Sequence, residues 1–141
     1  MIRILLADDL ALILMLLNGL CEGEADFEVV GAAETGEAAM DLALRTEPDV
    51  AVLDIKFPGI SGLEVARRLS RRLPDTKVVV LTALDSHGFA ARAMAAGAKA
   101  FLTKQAVGRK LVNAIRTVHA GGNYLDSEIA QRIALAHIRD E

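Results

Sequence analysis

Five short runs of Val, Leu, Ile and Ala, each followed by a stretch of good helix formers, restrict this chain more than anything else in it. Residues 2–7, 27–33, 50–54, 76–82 and 99–103 show little of the polar alternation of a half-exposed strand, so they predict strands buried on both faces. The intervening residues 10–22, 35–47, 61–72, 86–96 and 107–120 predict helices, with Ser61 as a cap and Pro48, Pro74 and Gly97 as stops. A β-α unit repeated in this way, with right-handed crossovers, gives a doubly wound α/β fold: a five-stranded parallel sheet under helices on both faces.

In such a sheet the carboxyl ends of the strands share one edge, where ligands bind. Asp8 and Asp9, Asp54, Thr82 and Lys104 end the first, third, fourth and fifth strands. Singly, each has an ordinary role: the aspartates cap helices, Thr82 fills a strand and Lys104 is solvated. Together they form one chemistry. Two or three carboxylates make a hard-oxygen site suited to Mg²⁺, which keeps waters and takes few protein ligands. An Asp can also attack a phosphoryl donor and hold the product as an acyl phosphate, while a metal, an ammonium and a hydroxyl share the charge on the transferred group.

The rest of the composition removes other classes. With 141 residues and 52% hydrophobic content the chain is expected to form one domain, and 16 basic against 19 acidic residues leave a net charge of −3 that attracts neither nucleic acid nor an anionic membrane. Cys21 is the only cysteine, which predicts a packing role and suits a reducing cytoplasm. The apolar run 10–17 is too short to cross a bilayer and has no leader features, so a cytoplasmic protein without a membrane contact is expected. His87, His119 and His137 match no metal spacing.

Four motifs occur in order: Leu6-Ala7-Asp8-Asp9, then Val52 through Gly62 (Val-Leu-Asp-Ile-Lys-Phe-Pro-Gly-Ile-Ser-Gly), then Leu81-Thr82-Ala83, then Ala96 through Lys104 (Ala-Gly-Ala-Lys-Ala-Phe-Leu-Thr-Lys). Over residues 1–120 the chain thereby resembles the receiver domains of two-component response regulators. The resemblance implies a flavodoxin-like strand order 2-1-3-4-5 with five helices. It implies Asp54 as phosphoacceptor, Asp9 as a direct Mg²⁺ ligand, Asp8 as a ligand through water, and Lys56 as a metal contact through its backbone carbonyl. Thr82 and Lys104 then contact the phosphoryl group, and Thr82 and Phe101 form the switch, with Phe101 turning inward on phosphorylation. Lys56 and Leu84 flank the path of the hydrolytic water, and a long-lived phosphorylated form is expected from them. Phe57 stands where Met is usual.

Residues 120–130 resemble the segment that follows the receiver in NarL/LuxR-type transcription regulators. The expected division is a receiver over 1–122 and a linker or extra helix over 123–141, capped by Asp126 or Ser127 with Ile129, Ile133 and Ala136 on one side. Implied partners are a sensor histidine kinase, a second copy on phosphorylation, and DNA only through an output domain that this sequence does not include. Other classes compete. A haloacid-dehalogenase-like hydrolase has a second Asp where Lys56 stands; a flavin carrier needs a first loop less anionic than Asp8-Asp9; a phosphorylation-independent interaction module keeps the fold alone.

The first helix is apolar all round. If Ile13, Leu16, Leu17 and Leu20 face the sheet, Leu14 and Met15 point outward, and with Val112 of the neighbouring fifth helix they predict a dimer contact.

Overall fold

β3 (Val50–Asp54) is buried at every residue and lies in the middle of the sheet. β1 (Ile2–Ala7) and β2 (Phe27–Ala33) lie to one side of it, and β4 (Lys77–Thr82), β5 (Ala100–Thr103) and β6 (Tyr124–Leu125) to the other. The order is β2-β1-β3-β4-β5-β6 and every pairing is parallel. The computed structural model describes residues 1–83 and 88–125.

Successive residues of a strand point to opposite faces, so each apolar run feeds two cores. Leu5, Ala7, Ala51, Leu53, Val78, Val80 and Phe101 pack beneath α2 (Gly36–Thr46), α3 (Gly62–Arg72) and α4 (Phe89–Ala95). Ile4, Leu6, Val50, Val52, Val79, Leu81 and Leu102 pack beneath α1 (Ala11–Glu22) and α5 (Val107–His119). α2 and α3 begin on side-chain caps, Thr35 accepting from the Ala38 amide and Ser61 from the Glu64 amide, each at 3.1 Å. A 3₁₀ turn (Lys104–Ala106) leads from β5 into α5, so Lys104 stands at the sheet's carboxyl edge.

Three features differ from the sequence expectation. The sixth strand is added: Tyr124 N–H donates to the Lys99 carbonyl at 2.9 Å, and Leu125 pairs beside Phe101. α4 begins at Phe89; Leu84 and His87, together with the whole tail helix expected after Asp126, lie outside the described residues.

The third difference is the rotation of α1. Leu17 and Cys21, one turn apart, are its buried residues, and Ile13, Leu14 and Leu20 flank them against the core. Leu14 therefore faces inward, not outward, and Leu16 is turned to solvent. With roughly 3.6 residues per turn, a stripe centred on Leu17 and Cys21 takes in Leu14 and expels Leu16. The outward row is Leu12, Met15 and Leu16, exposed by 78%, 69% and 45%. Val112 is also partly buried against the core. Burial, with the charges of Glu22 and Glu24, pushes the Cys21 thiol up to about 11, so it stays protonated and acts as a small core residue.

Candidate functional site

The acceptor end of the sheet is built from the backbone outward. Asp54 ends β3, and the chain stays tied to the sheet for one more residue through Ile55 N–H to the Leu81 carbonyl at 3.1 Å. It then doubles back, with Gly62 N–H donating to the Ile55 carbonyl at 2.7 Å. A Cβ on Gly62 would lie 1.9 Å from the Asp54 carbonyl oxygen, so only glycine lets α3 start this close to the strand.

Asp8 is fully buried at the end of β1 and Asp9 is exposed beside it. One carboxylate oxygen from each of Asp8, Asp9 and Asp54 lies within 4.8 Å of the others. Asp8 Oδ1 accepts from the Leu10 amide at 2.9 Å. Lys104 Nζ stands between the two buried acids, 3.1 Å from Asp8 Oδ2 and 3.2 Å from Asp54 Oδ2. Its bond to Asp54 is a hydrogen bond, whereas Asp8 Oδ2 has the ammonium nearby but accepts no well-directed hydrogen bond among the described residues. A buried carboxylate oxygen in that condition, beside two further carboxylates, fits a hard divalent cation such as Mg²⁺.

Burial and the neighbouring Asp8 charge push the Asp54 carboxyl up to about 6, against the pull of Lys104 and of the Lys56 amide that bonds to it. Burial works against the Lys104 ammonium, yet the charges of Asp54 and of the nearby Asp8 outweigh it and hold the group above its ordinary value. The raised Asp54 value has a consequence for stability. Below about pH 3 the carboxyl is protonated in folded and unfolded chains alike, and there is no penalty. As pH rises through the unfolded value of 3.8 toward 6, the unfolded chain releases its proton first, so the metal-free fold loses about 3 kcal/mol. Urea unfolding in chelator is expected to show this fall, and saturating Mg²⁺ to remove it; a flat profile without metal contradicts the assignment.

Asp9, Leu10, Asp54, Lys56, Thr82, Ala83 and Lys104 line one small pocket of about 170 Å³. The structure thus brings together Asp8, Asp9, Asp54, Lys56, Thr82 and Lys104. Phe101 stands apart from this pocket: its ring is fully buried in the core beneath α2 to α4. Leu14, Met15 and Val112 lie away from the pocket on α1 and α5. Sequence reasoning missed Leu10, half-exposed at the pocket rim, and Glu37, whose Oε1 accepts from the Ile60 amide at 3.2 Å. The Glu37 contact has no local signal, since 23 residues separate the pair.

Residues 4–116 match the family model of the response regulator receiver domain. Response regulator GacA of Pseudomonas aeruginosa is 42% identical over 135 residues, which is 96% of this chain and 63% of that protein. Response regulator UvrY of Escherichia coli is 38% identical over 141 residues, 100% of this chain and 65% of that protein. The chain therefore spans less than two thirds of the length of these relatives. Among solved structures, a two-component response regulator of the LuxR family from Aurantimonas sp. superposes with a TM-score of 0.90 at 31% identity, covering 96% of this chain and 97% of that one. The receiver domain of a NarL response regulator from Mycobacterium tuberculosis gives 0.80 at 31% identity, covering 85% and 97%. Five strands in the order expected, the acidic cluster at their carboxyl edge and the match over most of its length agree: the chain belongs to the response regulator receiver domain family, whose members are signalling switches of two-component systems rather than metabolic enzymes.

Proposed function

We propose that this receiver takes a phosphoryl group from a sensor histidine kinase onto Asp54, with Mg²⁺ held by Asp9 and Asp54 directly, by Asp8 through water and by the Lys56 carbonyl. The observation that carries the reading is the placement of Lys104 Nζ within 3.2 Å of both buried carboxylates. An ionised Asp54 oxygen attacks phosphorus; the new O–P bond forms as the P–N bond to the donor imidazole breaks, and the imidazole, protonated by solvent on its other ring nitrogen, leaves neutral. Lys104 exchanges its contact with Asp54 for one to a phosphoryl oxygen, and the Thr82 hydroxyl donates to another. Mg²⁺, when bound, supplies positive charge to the same oxygens.

The output reading follows from the resemblance of residues 120–130 and from the two relatives. Residues 1–122 act as receiver and 123–141 lead toward a DNA-binding domain outside this sequence, so that phosphorylation controls transcription in the cytoplasm. Among the described residues no helix is long and apolar enough to cross a membrane. Thr82 and Phe101 couple the phosphoryl group to the surface around α4 and β5, as two arrangements whose balance the modification shifts. A phosphorylated homodimer uses the α1–α5 side. Met15 remains in the proposed contact, joined by Leu12 and Leu16, while Leu14 and Val112 support it from beneath.

Labelling with radioactive acetyl phosphate in Mg²⁺ tests the reading. One phosphoryl group per chain is expected, and none in Asp9→Ala, which should also lose Mg²⁺ binding in a calorimetric titration. An unlabelled native chain, or an Asp9→Ala chain that binds metal as the native one does, contradicts it.

A further inference from the structure

The loop from β3 to α3 holds the Lys56 segment beside Asp54, and it is fastened from outside by a residue that touches neither acid. Glu37, in the first turn of α2, accepts a hydrogen bond from the Ile60 amide at 3.2 Å. Gly59, with φ of 81°, passes directly under that carboxylate, and a Cβ there would come 2.3 Å from Glu37 Oε1. Gly36 makes the matching approach, since a Cβ on it would lie 2.3 Å from the Ile60 carbonyl oxygen. At its start the loop is tied to Asp54 by the Lys56 amide, and at its end Gly62 bonds back to Ile55. In the crown between these ties, residues 57–60, Phe57 and Ile60 pack against the core and the Ile60 amide donates to Glu37.

We propose that Glu37 is a positioning residue for the cation site: by holding the Ile60 amide it fixes the loop that sets Lys56 against Asp54, and so tunes Mg²⁺ affinity. This rests on the reading of Lys56 and Asp54 as metal contacts given above. Gly36 lets α2 approach the loop backbone at Ile60, and Gly59, at positive φ, lies beside the Glu37 carboxylate. Outer-shell partners of this kind typically change metal affinity by about tenfold or more when removed.

The test is calorimetric titration of MgCl₂ into the full chain and into Glu37→Ala and Glu37→Gln, with hydrogen exchange at the Ile60 amide followed in parallel. Glu37→Ala is expected to weaken Mg²⁺ binding about tenfold and to speed exchange at Ile60. Glu37→Gln keeps an acceptor oxygen without the charge and is expected to stay within about twofold of native. If Glu37→Ala fails to fold, Glu37→Asp replaces it, because its carboxylate stops one methylene short of Ile60 and should show the same weakening. Native affinity in Glu37→Ala overturns the inference and leaves the phosphoacceptor reading standing. Equal weakening in Glu37→Gln and Glu37→Ala overturns it too, because charge near the helix N-terminus would then be the cause. A native chain that binds no Mg²⁺ brings down both.

Discussion

Asp54→Asn is expected to take up no phosphoryl group from acetyl phosphate and, without metal at neutral pH, to be more stable than the native chain. Both effects come from one carboxylate. The amide keeps the shape of the side chain and removes the nucleophile, and neither Asp8 nor Asp9 stands at the end of β3, where the Lys56 amide and Lys104 converge. The stability gain follows from the raised Asp54 value of about 6, already net of the attraction to Lys104. At pH 7 the native fold holds an ionised carboxylate it would rather protonate, at a cost of about 3 kcal/mol that Asn does not incur. The gain should vanish below about pH 3, where the native carboxyl is neutral in both states. Thermal melts of the two proteins across this range, with labelling in parallel, check it. A destabilised and still labelled variant contradicts both halves.

Lys104→Ala should move phosphorylation and metal binding in opposite directions. The ammonium lies against Asp8 and Asp54 at once and is only 18% exposed, so it occupies the ground a divalent cation would share. Without it the two carboxylates face each other with less compensation, and Mg²⁺ meets a stronger negative field and no resident competitor. Mg²⁺ affinity is therefore expected to rise. The transfer rate at saturating Mg²⁺ should nonetheless fall about a hundredfold, the cost of removing one preorganised cationic donor from a developing charge. Metal-free stability should also fall above pH 6, because an unpaired buried carboxylate costs more than a paired one, and Mg²⁺ should restore it. Calorimetry with phosphorylation kinetics reads all three. Weaker Mg²⁺ binding in the variant would make Lys104 a structural support of the cation site rather than its competitor.

The catalytic edge was legible because its residues are chemically unlike what precedes them. Asp54 and Thr82 directly follow the apolar runs 50–53 and 78–81, and Lys104 follows the short run 100–102 and Thr103, so the strand ends and the reactive groups announce each other. The α1 face was not legible for the opposite reason. From Ala11 to Leu17 no polar side chain marks the solvent side, and the pattern fits several rotations; packing of Leu17 and Cys21 chooses among them. β6 escaped notice because two residues after Gly121-Gly122-Asn123 carry no period, and its pairing depends on the exposed edge of β5. The inward seat of Phe101 and the Glu37–Ile60 bond are tertiary facts, set by elements brought together only in the folded chain. Asp8 and Asp9 are told apart in sequence only by the family resemblance, whereas in the fold one is buried beside Lys104 and the other is open to the pocket.

The central claim is that Asp54, among all carboxylates of this chain, carries the phosphoryl group. The native protein can be treated with acetyl phosphate in Mg²⁺, reduced with borohydride so that the acyl phosphate becomes an alcohol, and digested for mass spectrometry. Conversion is expected at Asp54 alone, and none when Mg²⁺ is chelated. Conversion at Asp8 or Asp9, or an Asp54 that stays intact in a chain shown to be phosphorylated, would contradict it.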